Sequence, residues 1–371
     1  MTKIYIVLFL CFSICVQAKE PFVRSGGHIL MSGGTQENEK LFVFDTGSSV
    51  TVVSKDFCKT ANCKKTLKWI PVIDYKGKWK MYRVARIPDF YLGNLHFKNV
   101  RVIVKKDVEH AFDGFVCENL SVEGILGYNL LGQHNWKLNF TDTTYSTQQT
   151  PIQLENGYSL DFRLRRRLPY VSLPINGQFV KNILFDTGDP SAIVLSSDTF
   201  NQLFTENVHT RQFLAGSLNN AAKKQYTEQL YKGNVSILSD SHSLIVSSIA
   251  NRRHNIIGGR LLTNSIVAIN YSDRTIDIDK AEGTIIWDKI VGIGFGFEEQ
   301  NIIITSIFTD LAEQYPELQL GKTVKTVNRK NSQDLAEMNP CERRIFLHSL
   351  NRGDLEIVME TGTVYNLSAI Y

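Results

Sequence analysis

The chain of 371 residues has length for two to four domains and an ample core, which excludes a small disulfide-stapled scaffold. Its 41 Lys+Arg against 37 Asp+Glu leave a net charge of +4, spread along the chain without the long basic runs of a nucleic-acid groove, so nucleic acid is not an expected partner. Hydrophobic residues at 43%, with 21 Phe and 14 Tyr, exclude a disordered or low-complexity chain, and 25 Gly suit many turns between strands.

The chain opens with Lys3, the apolar run Ile4 to Val16, and Val16-Gln17-Ala18, which read as a signal peptide over residues 1–18. An N-terminal anchor or buried helix is the other reading, but the run falls short of the roughly 20 residues a bilayer span needs. No later stretch is apolar and long enough for a transmembrane helix. The expectation is therefore a monomer exported to the periplasm or the extracellular space, without stable membrane insertion. Beyond the signal stand Cys58, Cys63, Cys117 and Cys341. In an exported chain the short Cys58/Cys63 loop reads as a disulfide, contributing about 2 kcal/mol by loop entropy. The other two cysteines lie far apart, and the His residues lack the close spacings of a zinc site, so neither metal nor cofactor is expected.

A repeat organises the chain beyond the signal. Leu41-Phe42-Val43-Phe44 and Asn182-Ile183-Leu184-Phe185 are buried-strand patterns, each delivering Asp-Thr-Gly at its end: Asp45-Thr46-Gly47 and Asp186-Thr187-Gly188. Ile125 to Thr144 aligns without a gap with Ile256 to Thr275 at an offset of 131, with seven identities in 20 positions. Chance would give about one. Strands are predicted on either side of Leu92-Gly93-Asn94, before the turn Asn176-Gly177, and around Ser272-Asp273. Short helices are predicted at Ser197 to Leu203 and Leu311 to Tyr315. Arg163, Arg165, Arg166 and Arg167, near the junction of the copies, read as a solvated strand or linker.

After Lys280 the pattern changes. Gly292-Ile293-Gly294-Phe295 leads into an apolar strand, Ile302 to Ile307, followed by a strand at Val324 to Asn328, a helix at Pro340 to Leu350 and a last strand at Leu355 to Met359. The glycines are not a dinucleotide fingerprint, because a strand rather than a helix follows; a tight turn is their plain reading.

An Asp at the end of a buried strand loses hydration unless it is paired or put to use. Two such residues brought face to face cannot both ionise, so they share a proton and place a base and an acid in one site. That equipment suits hydrolysis of a peptide bond by an activated water. Gly permits the close turn, and the Thr hydroxyls can cross-link the two turns.

On these residues the chain resembles the aspartic proteases: two lobes in one chain as in pepsin, with compact lobes similar to the retropepsin-type domains of bacterial exported proteins. Asp45-Thr46-Gly47-Ser48-Ser49 matches the first family motif, Cys58/Cys63 resembles the small disulfide loop of pepsin-like first lobes, and Ile125-Leu126-Gly127 and Ile256-Ile257-Gly258 match the elements packed behind each turn. The resemblance implies Asp45 and Asp186 as the catalytic pair, Thr46 and Thr187 holding the turns with Gly47 and Gly188, and Ser48 hydrogen-bonding its carboxylate. It places Tyr75 and Gly77 in a flap, for which a plain hairpin turn is the alternative. Asp189 departs from the family's small residue. It acts as a third carboxylate that raises the pair, as a protonated donor, or as a solvent-facing turn residue. The tail resembles a PDZ domain, with Gly292, Ile293, Gly294 and Phe295 as the loop that takes a C-terminal peptide ligand; Lys322 departs from the usual Asp.

The expected architecture is mainly β, a bilobal pair of barrels with pseudo-twofold symmetry: a first lobe over 19–160, a second over 161–283 and a PDZ-like domain over 284–371. The expected function is an aspartic endopeptidase acting on polypeptide substrates, with recruitment or regulation by the tail. A catalytically impaired protein that grips peptides in cleft and groove is the alternative.

Overall fold

Side chains of a strand point alternately to its two faces, so a half-buried strand buries every second one, as Leu168–Ile175 does. Repeated along the chain, such segments give a mainly β protein with 13-stranded and 14-stranded sheets. The computed structural model describes residues 19–73, 79–105, 120–217, 220–238, 240–250, 254–280, 291–350 and 353–368. The signal segment 1–18, the flap candidates Tyr75 and Gly77, and Cys117 lie outside the described residues.

Both copies of the repeat fold alike around their Asp-Thr-Gly turns. Asn38–Phe44 runs parallel to Val122–Leu126, which in turn pairs antiparallel with Thr51–Ser54. Gln178–Asp186, Asn255–Gly258 and Ile193–Val194 reproduce that arrangement. The copies meet where Asn135–Asn139 pairs antiparallel with Ser265–Asn270, and in that ladder Lys137 faces Ala268. These residues are 131 apart, the repeat offset itself. An antiparallel pair of repeat-equivalent residues lies on a local two-fold axis, so the symmetry seen in the sequence passes through this ladder.

A single apolar cluster runs through both copies, with Phe44, Trp136, Phe185 and Ile269 among its members. Trp136 is fully buried, packs edge-on to Phe44 at 5.2 Å between ring centroids, and donates its Nε1–H to Leu131 O at 2.7 Å. That bond removes the desolvation cost of the indole N–H. Helices are few and short. Lys55–Thr60 is capped by Ser54 Oγ and carries Cys58, which forms a disulfide with Cys63. This helix, with Tyr128–Leu131 and Ser332–Glu337, went unpredicted, because one turn of helix is too short to show a 3.6-residue period.

In the tail, the predicted strands and helix appear at Asn301–Phe308, Thr323–Val327, Pro340–Ser349 and Leu355–Met359. The helix starts at a capping box on Asn339, with Pro340 opening the first turn. The four residues expected as a peptide-binding loop lie where the chain enters a strand. Only Gly292, at φ 84, stands outside regular structure, while Ile293, Gly294 and Phe295 begin the strand Ile293–Glu298, because the bonded hairpin to Asn301–Phe308 reaches back to Ile293.

The tail is also joined to the body. Asn301–Phe308 pairs antiparallel with Val208–Ser217, Phe308 lying opposite Arg211, and the tail's apolar cluster takes in Leu230, with Ile245 packed against it. A chain ending at residue 283 therefore uncovers a strand edge and two apolar side chains. Burial of such side chains contributes about 1.5–3 kcal/mol each. The truncated chain is expected to melt several degrees lower and to self-associate in light scattering. A monomer with unchanged melting temperature would show that these contacts contribute nothing.

Candidate active site

Asp45 and Asp186 are brought together by the residues next to them. The Thr46 hydroxyl donates to Phe185 O at 2.6 Å and accepts from Thr187 N at 3.0 Å. Reciprocally, the Thr187 hydroxyl donates to Phe44 O at 2.8 Å and accepts from Thr46 N at 3.1 Å. Both threonines are completely buried. Each of these four bonds is worth about 1 kcal/mol net, and losing a partner in so buried a place costs more.

The glycines set how closely the turns approach. A Cβ on Gly47 would lie 2.2 Å from Asp186 Cγ, and one on Gly188 would lie 2.3 Å from Asp45 Cγ. Each carboxyl thus rests against the bare backbone of the opposite turn, where any side chain would displace it. Asp45 N bonds Leu126 O at 3.2 Å and Tyr128 N bonds Ser48 O at 2.8 Å, which fastens the first turn to the Ile125-Leu126-Gly127 segment. In the second copy, Gly259 N bonds Asp189 O at 2.8 Å.

Two carboxyls enclosed together are hard to ionise. Both aspartates keep some surface as residues, yet Asp45 Oδ1 is buried without a hydrogen-bond partner among the described residues. Burial pushes Asp45 up to about 6, against the opposing effect of its hydrogen bond with Asp186. Burial also raises Asp186, well above the usual carboxylate range, and the charges of Asp45 and Asp189 raise it further. The two titrate as a pair that holds one proton over the intermediate range.

Asp189 does not simply face solvent. It is half-buried, and its Oδ1 accepts from Ser191 N at 3.0 Å and from the Ser191 hydroxyl. Its charge raises both members of the pair. Ser48 departs from expectation: its hydroxyl donates to Val50 O at 2.9 Å, and its backbone N–H serves the Asp45 carboxyl instead.

His28 was missed by the sequence reading. It lies beside Gly188, Asp189 and Arg260, and burial lowers its pKa while the Asp189 charge opposes that shift. The glycine turn before it enters the second copy closely: a Cβ on Gly27, at φ 89, would lie 2.8 Å from Pro190 O. A Gly-Gly-His turn carries no signal for a contact made more than 150 residues away; only the paired glycines hint at close backbone approach.

In the tail, the strand Ile293–Glu298 pairs along one edge with Asn301–Phe308. Beside it, a groove of about 430 Å³ is lined by Gly294, Phe295, Gly296, Arg343, Arg344 and Leu347, with Arg343 stacked 4.5 Å over the Phe297 ring. Among the described residues there is no group of three or more His, Cys, Asp or Glu that could hold a metal ion.

The paired carboxyls make a stability prediction. A raised folded-state pKa means that their contribution is fully present below the unfolded value of about 4 and is lost as pH rises through about 6 and beyond. Asp186→Asn removes one charge from the pair. This variant is expected to melt a few degrees above the wild type at pH 8, with the gain vanishing at pH 4. A gain of equal size at both pH values would rule out charge repulsion as its cause.

The profile of the aspartyl protease family matches residues 32–130, a stretch that holds Asp45-Thr46-Gly47 and Ile125-Leu126-Gly127. No curated protein matches the chain. Together with the mainly β architecture, the family match supports an aspartic-protease-like fold.

Proposed function

We propose that the chain is an exported aspartic endopeptidase with two lobes, whose PDZ-like tail recruits substrate or regulates the body. The observation that carries this reading is the reciprocal threonine lock, which holds two enclosed carboxyls against one another's glycines. In the single-proton state, the ionised carboxyl takes a proton from a water as it attacks the scissile carbonyl. The protonated carboxyl donates to the carbonyl oxygen; as the C–N bond breaks, the departing nitrogen receives the proton taken from the water, and the collapsing diol returns a proton to the other carboxylate. A neutral general acid beside an anionic base requires pKa values pushed apart, and like charges at close range supply that.

The tail reading rests on its groove. A strand edge beside a helix can accept an extended peptide as an added strand, with backbone N–H groups near Gly292 to Phe295 meeting its carboxylate. Export rests on residues 1–18, and removal of these by a signal peptidase is part of the proposal.

Asp45→Asn and Asp186→Asn each keep shape and remove the shared proton. Each is expected to lower kcat on a mixed peptide library by at least about 10³-fold with the fold intact by circular dichroism. Activity retained in either variant would sink the assignment. Asp189→Ser removes a charge that raises both members of the pair, so both pKa values fall and the single-proton window moves to lower pH. A shift of about one unit is expected in the pH profile of kcat/KM. A wild type inactive at every pH, alongside an active Asp189→Ser variant, would instead favour the impaired, peptide-gripping alternative.

A further inference from the structure

The hairpin of Lys64–Ile73 and Trp79–Leu92 has two unlike faces. On one, Ile70, Val72 and Tyr82 pack with Val43, Val50 and Ile125. Val43 and Val50 flank the first aspartate turn in the chain, so this face packs on the strands that carry that turn. Because side chains alternate along a strand, the neighbours of Ile70 and Val72 point the other way.

That outer face is apolar and uncovered. Leu67 is 92% exposed, Trp79 69%, Ile73 57%, Trp69 56% and Met81 42%, which makes these five most of the exposed large hydrophobic residues among those described. Cross-strand pairing sets Ile73 opposite Trp79 and Pro71 opposite Met81, so they form one continuous patch rather than scattered residues. A patch of this kind on one face is costly in water unless something covers it.

Charge identifies the cover. Lys64, Lys65, Lys68, Lys80, Arg83 and Arg86 are exposed on the two strands, with Arg83 opposite Trp69 on the outer face and Lys80 opposite Val72 over the Tyr82 ring, and the described residues from 64 to 86 include no Asp or Glu. The cations are not a run in the sequence; folding the hairpin gathers them. Six cations here exceed the +4 of the whole chain, so the remainder is on balance anionic. Indole rings at the edge of an aliphatic patch, with long Lys and Arg side chains on the same two strands, match the interface of an anionic bilayer: aliphatic groups reach the acyl boundary, Trp sits at headgroup depth, and cations meet lipid phosphates. An acidic nucleic acid offers no surface for Leu67, Ile73 and Met81.

We infer that the outer face of this hairpin docks the protein on an anionic lipid surface, with the opposite face turned towards the aspartate turn. The binding is peripheral and needs no spanning segment; no helix among the described residues is long and apolar enough to cross a membrane.

The test uses the full chain with sedimented vesicles of phosphatidylcholine alone or with 30% phosphatidylglycerol, the composition being a choice of probe suited to the hairpin's cations. Expected are at least tenfold stronger partitioning on the anionic vesicles, a shift of Trp emission to shorter wavelength, and loss of binding at high salt. Lys64→Gln, Lys65→Gln and Lys68→Gln combined should weaken binding by about a hundredfold, at roughly fivefold per charge. Trp69→Ser with Trp79→Ser should abolish the emission shift and most of the binding. Any contribution from the apolar residues 4–16 is the same in wild type and variants, so the difference belongs to the hairpin. All five substituted side chains are exposed, and circular dichroism verifies the fold. Equal binding to neutral and anionic vesicles, or binding that the variants leave unchanged, overturns the inference. So does a dimer dissolved by the Trp variant, which would make the occupant a second copy, or preferential binding of single-stranded oligonucleotide over vesicles.

Discussion

The structure depends on a conflict: two carboxyl groups that repel and resist burial are held side by side by the threonines next to them. Thr46 and Thr187 each bond the main chain of the other copy in both directions, and neither has any exposed surface. Four buried hydrogen bonds oppose the cost of placing the carboxyls together, and the strands that deliver them are themselves fixed. Asn38–Phe44 and Gln178–Asp186 gain that rigidity from parallel pairing with the strands that end in Leu126 and Gly258. The Lys137–Ala268 pairing, on the axis relating the copies, then leaves little freedom for one turn to slide past the other. A strained electrostatic pair is thus supported by ordinary main-chain bonding.

How legible each feature is in the sequence depends on how local its signal is. The strand before each Asp-Thr-Gly, the turns at Asn176-Gly177 and Leu92-Gly93-Asn94, and the repeat at offset 131 are local or periodic, and the structure contains them. The cross-links between turns were readable as chemistry because Thr has a hydroxyl and the motif occurs twice. By contrast, the His28 approach to Asp189, and the bond from Arg24 to Thr263 Oγ1 at 2.8 Å, join residues more than 150 apart with no repeated motif to announce them. Ser48 shows a further limit: residue type says that a hydroxyl donates, whereas backbone direction decides to what.

The tail obeys the same rule. A run of apolar residues at Ile302 to Ile307 announces a strand but not which strands flank it. One edge of Asn301–Phe308 is shared between Thr323–Val327 and Val208–Ser217 along its length, and the other carries Ile293–Glu298. The tail thereby shares a sheet with the long hairpin of the second copy, and Leu230 belongs to its apolar cluster. The strand Ile293–Glu298 is thus hydrogen-bonded, through Asn301–Phe308, to a strand of the body.

Strand alternation gives the Lys64–Ile73 and Trp79–Leu92 hairpin a related property. Ile70 and Val72 face the apolar cluster beside Asp45, while Leu67, Trp69 and Ile73 on the same strand face outward. Trp79–Leu92 pairs with Leu95–Lys105 from Val84 onwards, so among the described residues only Trp69–Ile73 with Trp79–Arg83 form a two-stranded ribbon, which bends and twists more easily than a central sheet. Any body that covers the outer side chains replaces water with packing and restricts that motion, and the restriction is felt on the other face because both sets of side chains hang from one backbone. The register of Pro71 with Met81 and Val72 with Lys80 makes the two faces inseparable: a one-residue slip would turn every apolar residue of the inner face outward.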